Sequence, residues 1–357
     1  MNKTVLNKNY YPLCYINNGL LAYKKEHFYF INLDTIEAKE ICLLKNTDPR
    51  KWLCFCKLGE RMAHITAYCG IAMEEGALVV FNRGIYHIDI SQRKAIREHS
   101  FKLPDMRRPL NFYKIVGVKG FDDMILCPEY SNNVKRDAMS ILKREHDGKW
   151  KAVYTFSKGT IRHIHAVVPD SYRNRVIILT GDDGDECAIW EAKNNFSKVK
   201  KIVGSSQRYR ACLAKAYPEG ILILTDSPYN QNYAYLLDDM SKSIKILAKI
   251  PGPVVSWGCY KDDVIFSTTV ECSQRHIFKH FTYKRGEGIV DKYVRLYIGG
   301  INGFKEILKL PKDLYPMPIM GFGHIVLPNG EADGTLLYYP FAVRGGGKLK
   351  KLNLKEQ

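Results

Sequence analysis

The stretch GALVVFNRGIYHIDIS, residues 76–91, sets how the rest of the chain is read. An unbroken apolar run, Ala77 to Phe81, meets the turn signal Asn82-Arg83-Gly84. Alternation through Ile85, His87 and Asp89 follows. A run, a glycine turn and a period of two make a β-hairpin. GLLAYKKEHFYFINLDT, residues 19–35, has the same shape about sixty residues earlier. The pattern returns at 123–130, 138–156, 174–183, 187–203, 220–238, 262–271, 293–310 and 334–343. No helical period intervenes. Turn signals this regular predict a sandwich, barrel or propeller. Groups of about four strands every ~45–55 residues favour a propeller of six or seven blades. No Pro-, Gly- or Ser-rich linker divides the chain, so one domain is expected over residues 1–357, with a short basic tail from about 345.

Composition agrees with an all-β fold. The 357 residues include 23 Tyr, and aromatic residues suit pleated surfaces. The formal charge of +17 points to an acidic partner: nucleic acid, an anionic surface or an acidic polysaccharide. The densest basic runs, KVKK at 198–201 and KLKKLNLK at 348–355, read as loop and tail charge. Ten cysteines are scattered without a CxxC pair; Cys54-Phe55-Cys56 alternates as a strand would. Unpatterned cysteines predict reduced thiols and a cytoplasmic protein. There is no apolar leader with a small-residue cleavage site, and no run of ~18 apolar residues to span a membrane.

Three turns share a frame. It holds Asp147, Gly148 and Trp150 in LKREHDGKWKAVYTF, then Asn195, Phe196 and Val199, then Asn302, Gly303 and Ile307. This frame resembles the Asp-box of sialidase-like propellers, Ser-x-Asp-x-Gly-x-Thr-Trp, in degenerate form. From Glu129 to about Tyr339 the chain is similar to sialidase-like BNR-repeat proteins of bacteria and archaea. The segments that carry the likeness are 128–150, IRHIHAVVPDSYRNRVIILTGDDGDECAIW at 161–190, SSQRYRA at 205–211, 225–238 and GFGHIVLPNG at 321–330. The resemblance implies a single six- or seven-bladed β-propeller. Some members are associated with surface polysaccharides, which implies a carbohydrate ligand. The family's three-arginine clamp and its Tyr–Glu nucleophile pair are not placed here.

Candidate site residues follow from chemistry. His163 and His165 lie two apart, so on a strand both imidazoles project together, for metal binding, proton transfer or anion binding. A metal needs a third ligand, and His324, Glu129 and Asp182 are the candidates. A divalent metal is the one cofactor this set would admit. Asp182 follows Gly181 at the end of an apolar run; Asp183, Asp185 and Glu186 read as a solvated turn. Arg208 and Arg210 would share a strand face as a carboxylate fork, with Tyr209 opposite, while Arg162 flanks the two histidines. Asp226, Asn230 and Asn232 supply groups that could bond sugar hydroxyls. Trp257 could stack on a sugar face. Glu129 would join His163, His165, Asp182, Tyr209 and Arg210 as catalytic groups; Arg162, Arg208, Asp226, Asn230, Asn232, Trp257 and His324 would bind substrate.

No GxxxxGK[ST], GxGxxG, HExxH or GxSxG motif occurs. Charge alone favours nucleic acid, but no RNP, helix-turn-helix or zinc pattern accompanies it. The expectation is a propeller acting on an acidic oligo- or polysaccharide, by elimination or hydrolysis. The alternative is a non-catalytic glycan-binding scaffold in surface-polysaccharide assembly.

Overall fold

The computed structural model describes residues 6–63, 66–103, 105–238, 240–272 and 285–356. The fold is an all-β, seven-bladed β-propeller. Six sheets have four strands and the last has three, each in antiparallel chain order. They span residues 11–43 (blade I), 70–100 (II), 113–156 (III), 164–204 (IV), 211–250 (V), 254–311 (VI) and 324–353 (VII).

Burial explains why these sequences make these strands. The second strands Gly76–Phe81, Arg175–Thr180 and Gly220–Thr225 are buried at every position, hence their unbroken apolar runs. The fourth strands Lys94–Ser100, Lys198–Gly204, Ser243–Ile250 and Gly303–Pro311 are largely exposed and carry lysine or glutamate. Charged residues on an open edge oppose pairing with another chain. This accounts for KVKK, which is an edge strand rather than a loop. KLKKLNLK is likewise not a free tail: Lys350–Asn353 pairs with Thr335–Tyr338. Leu349 and Leu354, flanking that strand, are buried. Cys54-Phe55-Cys56 departs from its expected strand. Asp48 caps a 3₁₀ helix, Pro49–Phe55, with Pro at its start, and Lys57–Ala63 continues as an α-helix.

The three turns of shared frame occupy one position, the hairpin between third and fourth strands of blades III, IV and VI. Asp147 accepts from Lys149 N at 3.0 Å, and Asn195 Oδ1 accepts from Asp122 N at 2.9 Å. No disulfide joins cysteines among the described residues. Among the described residues no helix is long and apolar enough to cross a membrane.

The chain forms two compact units. The first holds blades I, II, VI and VII. In it, chain-distant segments meet. Asn7 N donates to Leu349 O at 2.9 Å, Leu349 N donates to Lys8 O at 2.7 Å, and Cys14 bridges Asn329 in parallel. Leu337 N donates to Tyr15 Oη at 3.1 Å. The second unit holds blades III, IV and V. Within blade IV, Arg175 lies between Asp170 at 2.8 Å and Glu191 at 2.9 Å, all three buried.

Candidate metal centre

The second unit gathers His163, His165, Asp182 and Arg210 at one end of blades III to V. The local backbone sets this up. In blade IV, Ile164 pairs with Thr180 and Ala166 with Leu179, so His165 is an extra residue in the ladder. Such a bulge re-aims its side chain. Here it turns His165 towards His163, which directly precedes the strand Ile164–Asp170. Blade V repeats the bulge at Cys212. Asp182 arrives through Gly181, whose φ is +78°. A Cβ there would sit 2.1 Å from Glu186 O, so only glycine fits the turn.

The hydrogen bonds dictate the tautomers. His163 Nδ1 lies 2.7 Å from Ser131 O, and His165 Nδ1 lies 3.0 Å from Ala211 O. A carbonyl only accepts, so both Nδ1 atoms carry hydrogen. Both Nε2 atoms then present lone pairs. They face each other at 3.0 Å, and each stands 3.3 Å from an oxygen of Asp182. With both imidazoles neutral, three acceptors converge. A metal cation, or a proton on one imidazole, would resolve the conflict. Bonds of about 2.0–2.2 Å to nitrogen and oxygen imply ligand–ligand edges of about 2.8–3.1 Å in octahedral and about 3.3–3.6 Å in tetrahedral geometry. The observed separations match. Backbone carbonyls holding the far N–H of each imidazole are the usual outer support of metal-ligating histidines.

The electrostatics favour the neutral form of His165. Burial pushes the His165 pKa down; Asp182 pulls it up in part, while His163 and Arg210 depress it further. Burial would raise the Asp182 carboxyl, but the facing imidazoles and Arg210 outweigh it and hold the group far below the carboxylate range. Arg210 Nη2 is 3.2 Å from Asp182 Oδ1, and its Nη1 donates to Asp182 O at 3.2 Å. Burial lowers the Arg210 pKa, yet Asp226 and Asp182 raise it overall. Arg162 reaches Asp182 at 3.6 Å and Asp183 at 3.3 Å.

His163 and His165 are 2% and 1% exposed. The Tyr130 ring lies 4.1 Å from the His163 ring, covering it. Asp182 and Arg162 form the more open side.

Other sequence candidates sit elsewhere or do other work. Glu129 turns away from the histidines, accepts from Ser140 N at 2.7 Å and pairs with Arg107 at 3.2 Å. Burial raises its pKa despite these partners. Arg208 and Arg210 do not make a fork, because Gln207–Tyr209 is a 3₁₀ turn capped by Ser206. Arg208 is exposed and Tyr209 is half-buried on that turn. Asp226 is buried and takes a bond from Cys212 Sγ at 3.2 Å. Asn232 is buried, accepts from Thr225 Oγ1 and Ser227 N, and donates to Ser227 O at 2.7 Å, clamping its own loop. Asn230 is exposed and bonds Ser227. His324 and Trp257 belong to the first unit. His324 Nδ1 bonds Phe322 O at 3.2 Å, and Trp257 is half-buried across from Phe266. The ligand-type side chain grouped with the two histidines among the described residues is Asp182; His324 is not in that group. Two contributors were not assigned to the site from the sequence. One is Tyr130 as the cover. The other is Gln207, whose Nε2 donates to Asp182 O at 2.7 Å. Only the tertiary placement of their turns reveals them.

No protein-family model and no curated protein matches the sequence. Among solved structures, an oligogalacturonate lyase from Vibrio parahaemolyticus aligns with a TM-score of 0.53 at 9% identity, over 92% of this chain and 88% of the lyase. A chain of the mitotic checkpoint complex gives 0.53 at 7% identity, over 99% and 92%. Puromycin hydrolase gives 0.50 at 8% identity over 94% of this chain and 50% of its own. Identities this low carry the fold alone, and no sialidase or BNR-repeat family is shown by them.

Proposed function

We propose that this protein is a divalent-metal-dependent propeller enzyme of the lyase or hydrolase kind, acting on an acidic glycan. The observation that carries the reading is the convergence of two imidazole lone pairs and one carboxylate at 3.0–3.3 Å. His163, His165 and Asp182 would hold the metal. Gln207 and Arg210 fix Asp182 through its backbone oxygen. Arg162, beside the more open edge, is the cation placed to meet a substrate carboxylate.

A divalent cation held by His163, His165 and Asp182 would supply charge that neutralises such a carboxylate and makes the C–H next to it more acidic. In elimination a general base, a side chain at the site or a water molecule, would take the proton of that C–H, and the electron pair left behind would form a C=C bond. The neighbouring C–O bond then breaks, and the leaving oxygen takes a proton. Hydrolysis would instead add one water across the C–O bond. The lyase and the hydrolase among the structural neighbours are in keeping with either outcome.

One observation favours a second reading, a non-catalytic glycan-binding scaffold. Both histidines are almost wholly buried beneath Tyr130, as in a structural metal site.

The test is elemental analysis of purified wild type, His165→Gln and Asp182→Asn, with mass spectrometry of neutral and acidic glycans incubated with each. We expect about one metal per wild-type chain, and a loss of affinity of about tenfold or more in each variant. An unsaturated product from wild type alone assigns a lyase; a product carrying one added water assigns a hydrolase. Metal without product, together with saturable glycan retention, gives the scaffold reading. Wild type that binds no added Mn²⁺ or Zn²⁺ removes the metal centre.

A further inference from the structure

The first unit contains a cavity of about 1150 Å³. Its walls combine Tyr11 and Tyr23 of blade I, Trp52 and Phe55 of the helical insertion, Tyr339 of blade VII, and Tyr315. Trp52 is 69% exposed, Phe55 79% and Leu314 81%. Large apolar side chains held in water around a concavity mark a binding surface rather than a core.

The charge is unbalanced. Arg61 stacks between the rings of Tyr315 (5.2 Å) and Phe341 (5.4 Å) and pairs with Asp313. Lys312, its side chain only 7% exposed, pairs with the same carboxylate. Two largely buried cations share one acid, a net positive charge in low dielectric that favours an anion nearby. The acid Glu60 is met by Lys25 at 3.5 Å. Lys51 and Arg344, at the rim, make no ion pair among the described residues. The lining as a whole holds five cations against three acids. Tyr23 and Tyr339, their pKa values pushed up to about 12 mainly by burial, offer neutral hydroxyls.

We propose that this cavity binds a small aromatic anion, a planar ring system bearing one carboxylate or sulfonate. Aromatic rings gathered around one cavity suit a flat apolar body. The unbalanced Arg61–Lys312–Asp313 cluster selects a single negative charge. This site is independent of the metal centre and of the glycan reading.

The probe is 8-anilinonaphthalene-1-sulfonate, titrated by fluorescence beside N-phenyl-1-naphthylamine, the same rings without the sulfonate. We expect one saturable site, with the neutral dye bound about tenfold more weakly. Trp52→Ser with Phe55→Ser, both exposed, should weaken sulfonate binding about tenfold while the melting transition stays in place. Lys312→Met should erase the preference for the charged dye. If Lys312→Met alters folding, Lys51→Ser with Arg344→Ser at the rim tests the same selectivity. Equal affinity for the two dyes overturns the proposal. So does binding that ignores loss of Trp52 and Phe55, emission that never saturates, or a preference untouched by every charge variant.

Discussion

His165 owes its direction to one extra residue in a ladder. Two histidines separated by one position promise a shared face, and that much was legible from residues 163–165. The bulge was not, because it depends on which residues of the next strand pair with Ile164 and Ala166. Asp182 could be singled out by its place after Gly181 at the end of an apolar run. The choice of third ligand could not, since spacing along a chain does not say which strand ends meet. SQRYRA misled for a local reason: Ser206 accepts from Arg208 N and closes a turn where a strand was expected. His324 illustrates the same limit and supplies a pH test. Burial lowers its pKa to about 4 from an ordinary 6.5. The unfolded chain therefore takes up the proton first as pH falls. His324 contributes stability that is complete above 6.5 and is lost between 6.5 and about 4, on the order of 2–3 kcal/mol. His165 acts in the same direction. Denaturant midpoints measured from pH 7.5 to 4 should fall, and His324→Gln should flatten part of that fall. A variant with the wild-type slope would remove this account.

At the scale of elements, the recurring hairpins were readable, because fully buried second strands leave unbroken apolar runs; the lysine-bearing edge strand at 198–204 was not, since its charge also fits a loop. The third-to-fourth strand turns were readable too, through Asp147-Gly148 and Asn195. The helical insertion at 49–63 was not: Pro49 and Asp48 signal a helix start, but the alternation Cys54-Phe55-Cys56 competed with them. The Gly181 turn joins element to site. Gly181→Ala must displace either residue 181 or Glu186. A strained left-handed position with a backbone clash should cost about 1–3 kcal/mol. It should also move Asp182 from the imidazoles. We expect a lowered unfolding midpoint and weakened binding of added Mn²⁺ in the protein that remains folded. Unchanged metal affinity would show that the turn does not position the carboxylate.

At the scale of the molecule, +17 charges guarantee some attraction for any polyanion. Such diffuse attraction is screened within about 8–10 Å at moderate salt. Two components of acidic-oligosaccharide binding should therefore separate. One falls steeply between low and moderate salt and is indifferent to His165→Gln. The other persists and is lost in that variant. Isothermal titration in a series of NaCl concentrations distinguishes them, and a single steep component unaffected by His165→Gln would reduce the glycan interaction to surface charge.

The bond from Leu337 N to Tyr15 Oη joins residues 322 positions apart. A ribosome adding about 5–20 residues per second needs roughly 15–65 s to span that distance. Blade I emerges before blade VII, so Leu13, Cys14 and Tyr15 must wait for Asn329, and Lys8 must wait for Leu349. For most of its synthesis the nascent chain carries an unsatisfied inner strand, and during that interval a chaperone or a neighbouring chain can compete for it.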